Sequence, residues 1–350
     1  MKKLLLILGN GFSIDFINQI EKSEGIDVSN LFRLGHTVKF PYTKTPGFLS
    51  HRHCPALWLL GARPNNDSKQ CMAIIEEIIT CSNMLFDYLD LAGTDKNRLK
   101  LIEFDNQSTY IRAYSELIAY LKYLFIDYNN KVSPTELDGF VSTALWGWVK
   151  FLKETLTGDK YEKVNIITYN YDVWLERLLD ALGIGYTICG CDTKENIVNI
   201  IKPHGSISFT HTSGKNTMYD ITYKIDSSGT DIDQIKLEYN DLDQYDKSYL
   251  IPPAGDSSRR QSDTWAAKLR ECAISAVKDS HDNDDVYICG MSYWHVDRKE
   301  LDELLINLNQ NVNITLVNPN PPKELNAVLV SLFKNYTVFT SSDTLKEAIR

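Results

Sequence analysis

Five short polar runs in this sequence each follow an apolar stretch, and their residue types suit ligand binding and proton transfer. In Gly9-Asn10-Gly11-Phe12-Ser13 the glycines permit a tight turn and close approach of a ligand, and N–H groups at a following helix start suit a pyrophosphate. The spacing is GxGxS rather than GxGxxG, and no acidic residue stands out after a second strand, so a purely structural turn fits these glycines equally well. In Thr168-Tyr169-Asn170-Tyr171-Asp172 three polar side chains alternate. Asp172 suits a helix cap as well as a site carboxylate, whereas Asn170 is expected as an amide at the ligand edge. His204, in Lys202-Pro203-His204-Gly205, is expected to face a pocket or solvent. A neutral imidazole there takes a proton near neutral pH; one satisfying loop carbonyls is the alternative. Gly290-Met291-Ser292, with His295 close behind, and Asn318-Pro319 complete the set.

These runs need a scaffold that brings them together. Residues 3–8 read as a strand buried on both faces, followed by a turn and a helix. Further strands are expected at Val164–Thr168, Gly185–Ile188, Ile197–Ile201, Val286–Cys289 and Asn313–Val317. Apolar residues at three- and four-residue intervals predict helices over 72–92, 107–130 and 138–157. Others are expected from Asp172 through Leu182, near Trp265–Lys278, at Asp297–Asn307 and around Lys323–Phe333. Residues 206–248 alternate in pieces such as ISFTHT and MYDITYKI, which suggests a small β-rich excursion. Strands alternating with helices imply an α/β fold of Rossmann-like, doubly wound type. Its mainly parallel sheet carries a helical insertion (roughly 70–158) and a β-rich one (206–248), in a single domain spanning 1–350. In such a sheet, ligands bind outside the carboxyl ends of the strands, where all five runs fall.

Composition narrows the partners. A formal net charge of −9 argues against a surface that follows a nucleic-acid backbone. The apolar run after Lys2-Lys3 stops at Gly9, short of a signal peptide, and no stretch approaches the ~20 apolar residues of a membrane span. A cytoplasmic protein is therefore expected. Seven cysteines without a CxxC pair predict reduced thiols. His51, His53 and Cys54 are close enough to suggest metal ligands, yet they lack a second ligand pair, so no metal is expected.

The set ILGNGFS, ITYNYD, KPHGS, LIPP with Trp265 downstream, ICGMSY with Asp297, and LVNPNP resembles the bacterial sirtuin-like family of antiphage defence NAD hydrolases. Gly9, Gly11 and Ser13 match the family's GxGxS, and Thr168, Asn170 and Asp172 its TxNxD. His204 and Gly205 match its HG, and Gly290 and Ser292 its GxS. That family commonly has alanine where Asn10 and Phe12 stand, and GNGF is also similar to an abortive-infection family of related fold. The resemblance implies cleavage of NAD to nicotinamide and ADP-ribose, with NAD as substrate and no metal. It implies Asn170 and His204 as catalytic residues. Binding roles fall to Gly9, Asn10, Gly11, Phe12, Ser13, Thr168, Asp172, Gly290, Ser292 and Asn318, and Asp15 or Asp172 faces the cationic ribose. A non-catalytic sensor of NAD or an ADP-ribose derivative is the rival expectation. An NAD-dependent deacylase ranks below it, because the paired CxxC motifs of deacetylating sirtuins are absent. Unregulated NAD loss is toxic, so control by a homo-oligomer or by a co-encoded defence protein such as an ATPase is expected, with 70–158 as candidate interface or, equally, as part of the chain's own core.

Overall fold

The computed structural model describes residues 1–92, 108–143, 145–192, 195–211, 231–244, 249–255 and 264–348. The chain opens with β1 (Lys2–Leu8) and α1 (Asn10–Gln19), followed by a long irregular stretch and the short α2 (Pro55–Leu59). Four helices come next: α3 (Ser68–Ala92), α4 (Thr109–Asn130), α5 (Pro134–Thr143) and α6 (Gly147–Leu156). Then come β2 (Tyr161–Thr168), α7 (Trp174–Ala181), β3 (Tyr186–Ile188) and β4 (Val198–Ile201). Four short strands follow: β5 (Gly205–Ser206), β6 (Phe209–His211), β7 (Ile235–Leu237) and β8 (Tyr249–Leu250). The chain closes with α8 (Thr264–Lys278), β9 (Asp285–Cys289), α9 (His295–Asn307), β10 (Asn313–Val317), α10 (Lys323–Leu332), β11 (Asn335–Phe339) and α11 (Leu345–Ala348).

Seven strands form one sheet in the order β3-β4-β2-β1-β9-β10-β11, and the pairings between them are parallel. Alternate residues of β1 enter two different cores. Leu4, Leu6 and Leu8 join a cluster with Phe16 of α1, Leu121 of α4 and Trp174 of α7. Leu5 and Ile7 join another with Val277 of α8, Leu304 of α9 and Leu329 of α10. Both faces are thus covered by helices, which is why the strand reads as an uninterrupted apolar run. The architecture is α/β and Rossmann-like. From central β1 the chain moves to β2 on one side, and it later crosses to β9 on the other. Such a reversal opens a crevice beyond the carboxyl ends of the two neighbouring strands.

The structure departs from the sequence expectations in several places. The helix expected over 138–157 is two helices, because Trp146 adopts an extended backbone ahead of α6. Its indole packs against Phe12, Phe16 and Phe140, a contact that a continuous helix does not provide. Strand β11 was not expected. Its Asn335-Tyr336-Thr337 start is polar because it lies at the sheet edge, half exposed. Within 206–248, β5 pairs antiparallel with β8 and β6 with β7, while MYDITYKI lies outside the described residues.

The turn after β1 and the turn after β9 interlock. Gly11 N–H donates to Gly290 O at 3.1 Å, and Gly9 N–H donates to Cys289 O at 2.9 Å. A Cβ on Gly11 lies 2.4 Å from Gly290 Cα, and Gly290 itself has φ +64°. The obstruction is backbone, so Gly11→Ala is expected to destabilise the protein by about 1–3 kcal/mol through forced displacement of the turn. Urea unfolding checks this; a midpoint equal to that of the parent protein removes the interlock as a constraint.

Candidate functional site

At the carboxyl ends of β1, β2, β4 and β9 lies a cavity of about 350 Å³. Of the residues singled out from sequence, Gly9, Asn10, Asn170, Asp172, His204, Gly290 and Ser292 line it. Parallel register makes this possible, since Leu8 pairs with Thr168 on one side and with Cys289 on the other. Three strands therefore end level, and their following residues meet.

Asn170 is held by its amide nitrogen. Nδ2 donates to Gly9 O at 3.0 Å and to Ser13 Oγ at 2.9 Å. Gly9 O can only accept, which fixes the amide orientation and uses both N–H groups. Oδ1 is the polar atom left to the cavity, and it is an acceptor. Ser13 Oγ in turn donates to Asp172 Oδ2 at 2.6 Å, while Asp172 Oδ1 accepts from Trp174 N at 3.2 Å. Asp172 is not the helix cap expected: Val173 holds that position, and Asp172, one residue earlier, bonds the first helical N–H while also anchoring the first turn.

Asp172 is fully buried, and burial pushes its carboxyl above the usual range; Lys202 and the Ser13 hydroxyl pull the other way. Lys202 Nζ donates to Asp172 O at 2.6 Å and to Glu176 Oε1 at 2.7 Å, with side-chain exposures of 1% and 0% for the ion pair. Neither Lys202 nor Glu176 was singled out from sequence. Lys202 precedes His204 by two residues, and Glu176 falls one turn into α7, so only proximity to the motifs hinted at them.

His204 is 2% exposed, so it faces the cavity rather than solvent. Its Nε2 lies 2.9 Å from Oε2 of Glu300, on α9, and its ring meets Tyr169 edge-on at 4.9 Å. An ionised carboxylate only accepts, so a neutral His204 donates through Nε2 and its basic nitrogen is Nδ1. Glu300 carries no sequence signal, since a helical carboxylate ninety-six residues downstream belongs to no motif. Val28, Ser29 and Leu31 from the irregular stretch, Lys69 and Met72 of α3, and half-exposed Trp294 also line the cavity without a sequence signal.

Other expected site residues lie off the cavity wall. Phe12 is buried against Trp146 and Trp148, and the Asp15 carboxylate accepts from Trp146 Nε1 at 2.8 Å. Thr168 Oγ1 accepts from Asn170 N at 3.3 Å, and Asn318 fixes its own turn through Met291 O and Asn320 N. Ser13 supports Asn170 from behind. The Gly9–Gly11 turn also differs from the pyrophosphate cradle expected. Gly11 N–H goes to Gly290 O and Phe12 N–H to Gly9 O at 3.0 Å, so these donors are committed within the protein. His295 pairs with Glu76. His53 stacks on Phe40 at 3.9 Å, and Cys54 is buried. Among the described residues no group of three or more His, Cys, Asp or Glu side chains is placed to hold a metal ion, and no helix is long and apolar enough to cross a membrane.

No protein-family model matches the chain, and no curated protein matches it.

Two stability measurements test the buried charges. Lys202→Met leaves Glu176 buried without its cation and is expected to cost about 3–5 kcal/mol. Lys202→Met combined with Glu176→Leu should recover much of that loss in urea unfolding. Equal losses in the single and double variants would show that the cost does not come from leaving Glu176 without its cation. The second measurement concerns Asp172. Its folded pKa lies above the ordinary 3.8, so folded Asp172 keeps its proton where the unfolded chain has lost it. Its contribution is fully present below the unfolded value and is lost as pH rises through the folded one. Relative to Asp172→Asn, the parent protein should therefore lose stability as pH rises from the unfolded value through the higher folded one. A constant or opposite difference contradicts the raised pKa.

Proposed function

We propose that the protein hydrolyses the nicotinamide–ribose bond of NAD, releasing nicotinamide, ADP-ribose and a proton. The observation that carries this reading is the meeting of Asn170 and His204 on one cavity wall, between the turns that follow β1, β2, β4 and β9. The motif resemblance named both residues independently of their position in space. In this reading the sheet is doubly wound, with 70–158 and 206–248 as insertions into it. Depletion of NAD would make the protein an effector of abortive infection, its control resting on self-association or on a co-encoded partner.

Breaking this bond builds positive charge on the ribose, and nicotinamide leaves readily, so a positioned water and fixed dipoles matter more than a strong acid. Asn170 Oδ1, immobilised through Nδ2, accepts a hydrogen bond from a ribose hydroxyl or from the attacking water. The amide's partial negative charge then faces the developing cation. His204 takes the proton of that water at Nδ1, and Glu300 holds the ring and stabilises the imidazolium that results. Asp172 remains behind Ser13 and positions Asn170. Phosphates lie along Asn10 and Ser292 with Lys69 supplying positive charge, since the deeper N–H groups of the first turn are already committed.

Purified protein incubated with NAD should release nicotinamide and ADP-ribose in equal amounts, read by chromatography. Asn170→Ala should abolish release in a protein that remains folded. His204→Ala should lose ~100-fold or more, and Glu300→Gln on the order of tenfold, if the imidazole is a general base. Wild-type turnover by folded Asn170→Ala would remove that residue from the mechanism. NAD binding without nicotinamide release would instead make the cavity that of a non-catalytic nucleotide sensor.

A further inference from the structure

Three of the seven cysteines meet where the sheet-edge strand β3 ends against α8. Cys189 prolongs the pairing of β3 by one residue, its N–H donating to Ile200 O at 2.8 Å. Gly190 then turns the chain with φ +76°, and Cys191 N–H returns to Ile188 O at 3.1 Å. This turn lies on α8, since a Cβ at Gly190 is 3.7 Å from Leu269 Cδ2. Cys272 stands three residues beyond Leu269 and hence on the same face of that helix. Cys189 and Cys272 pack against the same core, and all three thiols are partly exposed.

A hydrogen bond joins the sulfurs of Cys189 and Cys272, with the Cys189 thiol donating. That bond holds Cys189 above its ordinary range and draws Cys272 down to about 7, because it favours a thiolate on Cys272. A partly exposed thiolate is the form of cysteine that peroxides oxidise. The other cysteines are set differently. Burial pushes Cys191 and Cys71 up to about 12 and raises Cys54 and Cys289, while Cys81 lies beside Tyr110. Cys191 is within electrostatic reach of Cys272, yet the three sulfurs do not converge as ligands of one metal ion.

We propose that Cys189 and Cys272 are a peroxide-reactive thiol pair, oxidised to an intrachain disulfide that fastens the end of β3 to α8. The Cys272 thiolate attacks one oxygen of a hydroperoxide. The O–O bond breaks, the sulfur becomes a sulfenic acid, and the leaving oxygen takes a proton from solvent and departs as water or an alcohol. The Cys189 sulfur then attacks the sulfenic sulfur, and the S–O bond breaks as the hydroxyl leaves with the Cys189 proton as water. The two sulfurs together give up two electrons and the peroxide gains them. Sulfurs already joined by a hydrogen bond have only to close to about 2.05 Å, the length of the new bond. The pair does not depend on the proposed NAD chemistry.

Treating the reduced full chain with hydrogen peroxide, then alkylating it and digesting it with trypsin, tests the pair. Two of the seven thiols should be lost, a disulfide should join peptides 178–194 and 271–278, and dithiothreitol should restore both thiols. Fragmentation assigns the bond to Cys189 rather than Cys191, so the parent chain alone can decide the question. Cys191→Ser should keep the link, whereas Cys189→Ser and Cys272→Ser should abolish it. Cys272→Ser should also slow oxidation of the first thiol at least about tenfold, and dimedone should capture Cys272 as a sulfenic acid in Cys189→Ser. Thermal unfolding is measured alongside, and alanine replaces serine in any variant that unfolds. Retention of all seven thiols overturns the proposal. So does a bond through Cys191, a bond formed only between chains, or an unchanged oxidation rate in Cys272→Ser.

Discussion

The hydroxyl of Ser13 has two obligations that admit one solution. The Asn170 amide nitrogen can only donate, so the hydroxyl accepts from it and gives its own proton to Asp172 Oδ2. That chain joins the turn after β1 to the turn after β2 and leaves Asn170 presenting an oxygen to the cavity. A hydrogen bond to a buried carboxylate contributes roughly 1.5–3 kcal/mol, enough to hold one orientation against its flip. It depends on β1 and β2 ending at the same level, which the register between Leu8 and Thr168 ensures. Sheet pairing, and not the loops, therefore decides which atom of Asn170 a ligand meets.

Burying Asp172 raises a difficulty that the next strand answers. A carboxylate out of water is costly unless charges and donors surround it. Lys202, at the end of β4, bonds the Asp172 carbonyl and pairs with Glu176, bringing a cation close to both acids. Glu176 Oε2 has no hydrogen-bond partner among the described residues, so the cluster stays incompletely satisfied; burial, with a smaller push from the Glu176 charge, holds the carboxyl of Asp172 above its ordinary range. Such a cluster adds little to stability compared with an apolar replacement of the same shape. What it supplies is position: the residue two places beyond Lys202 is His204, whose setting is fixed by the same β4 end.

Regular elements were legible where one physical demand dominated the sequence. The strand Asn313–Val317 and the β1 run are apolar because both faces are covered, and the long helices show their periodicity because they pack against one another and against the short α2. Legibility failed where tertiary contact overrode local pattern. Trp146 divides a periodic stretch because its indole has a place between Phe12, Phe16 and Phe140, and β11 escapes notice because an edge strand need not be apolar. Gly9 and Gly11 suited either close approach of a ligand or a purely structural turn, and in the structure they pack against the Gly290 turn. Each turn approaches the other, with a Cβ at Gly9 only 2.8 Å from Gly290 O, and much of the room expected for a pyrophosphate is taken by backbone.

The cavity has two walls of different origin, and this explains which parts of the site were visible. Strand ends make one wall: Gly9, Asn170, Asp172, His204 and Gly290 are short-range neighbours of β1, β2, β4 and β9, so each appears as a motif after an apolar run. The other wall comes from Val28–Leu31, from the first turns of α3 and from Trp294, segments with no strand to announce them. Chemistry belongs on the first wall, where packing fixes geometry, and choice of ligand belongs on the second, whose side chains can differ without disturbing the sheet. A motif resemblance confined to the first wall speaks to reaction class and leaves the ligand open. Under the proposed function, Lys69 and Trp294, a cation and an aromatic face on the unannounced wall, are accordingly the residues placed to tell one ligand from another.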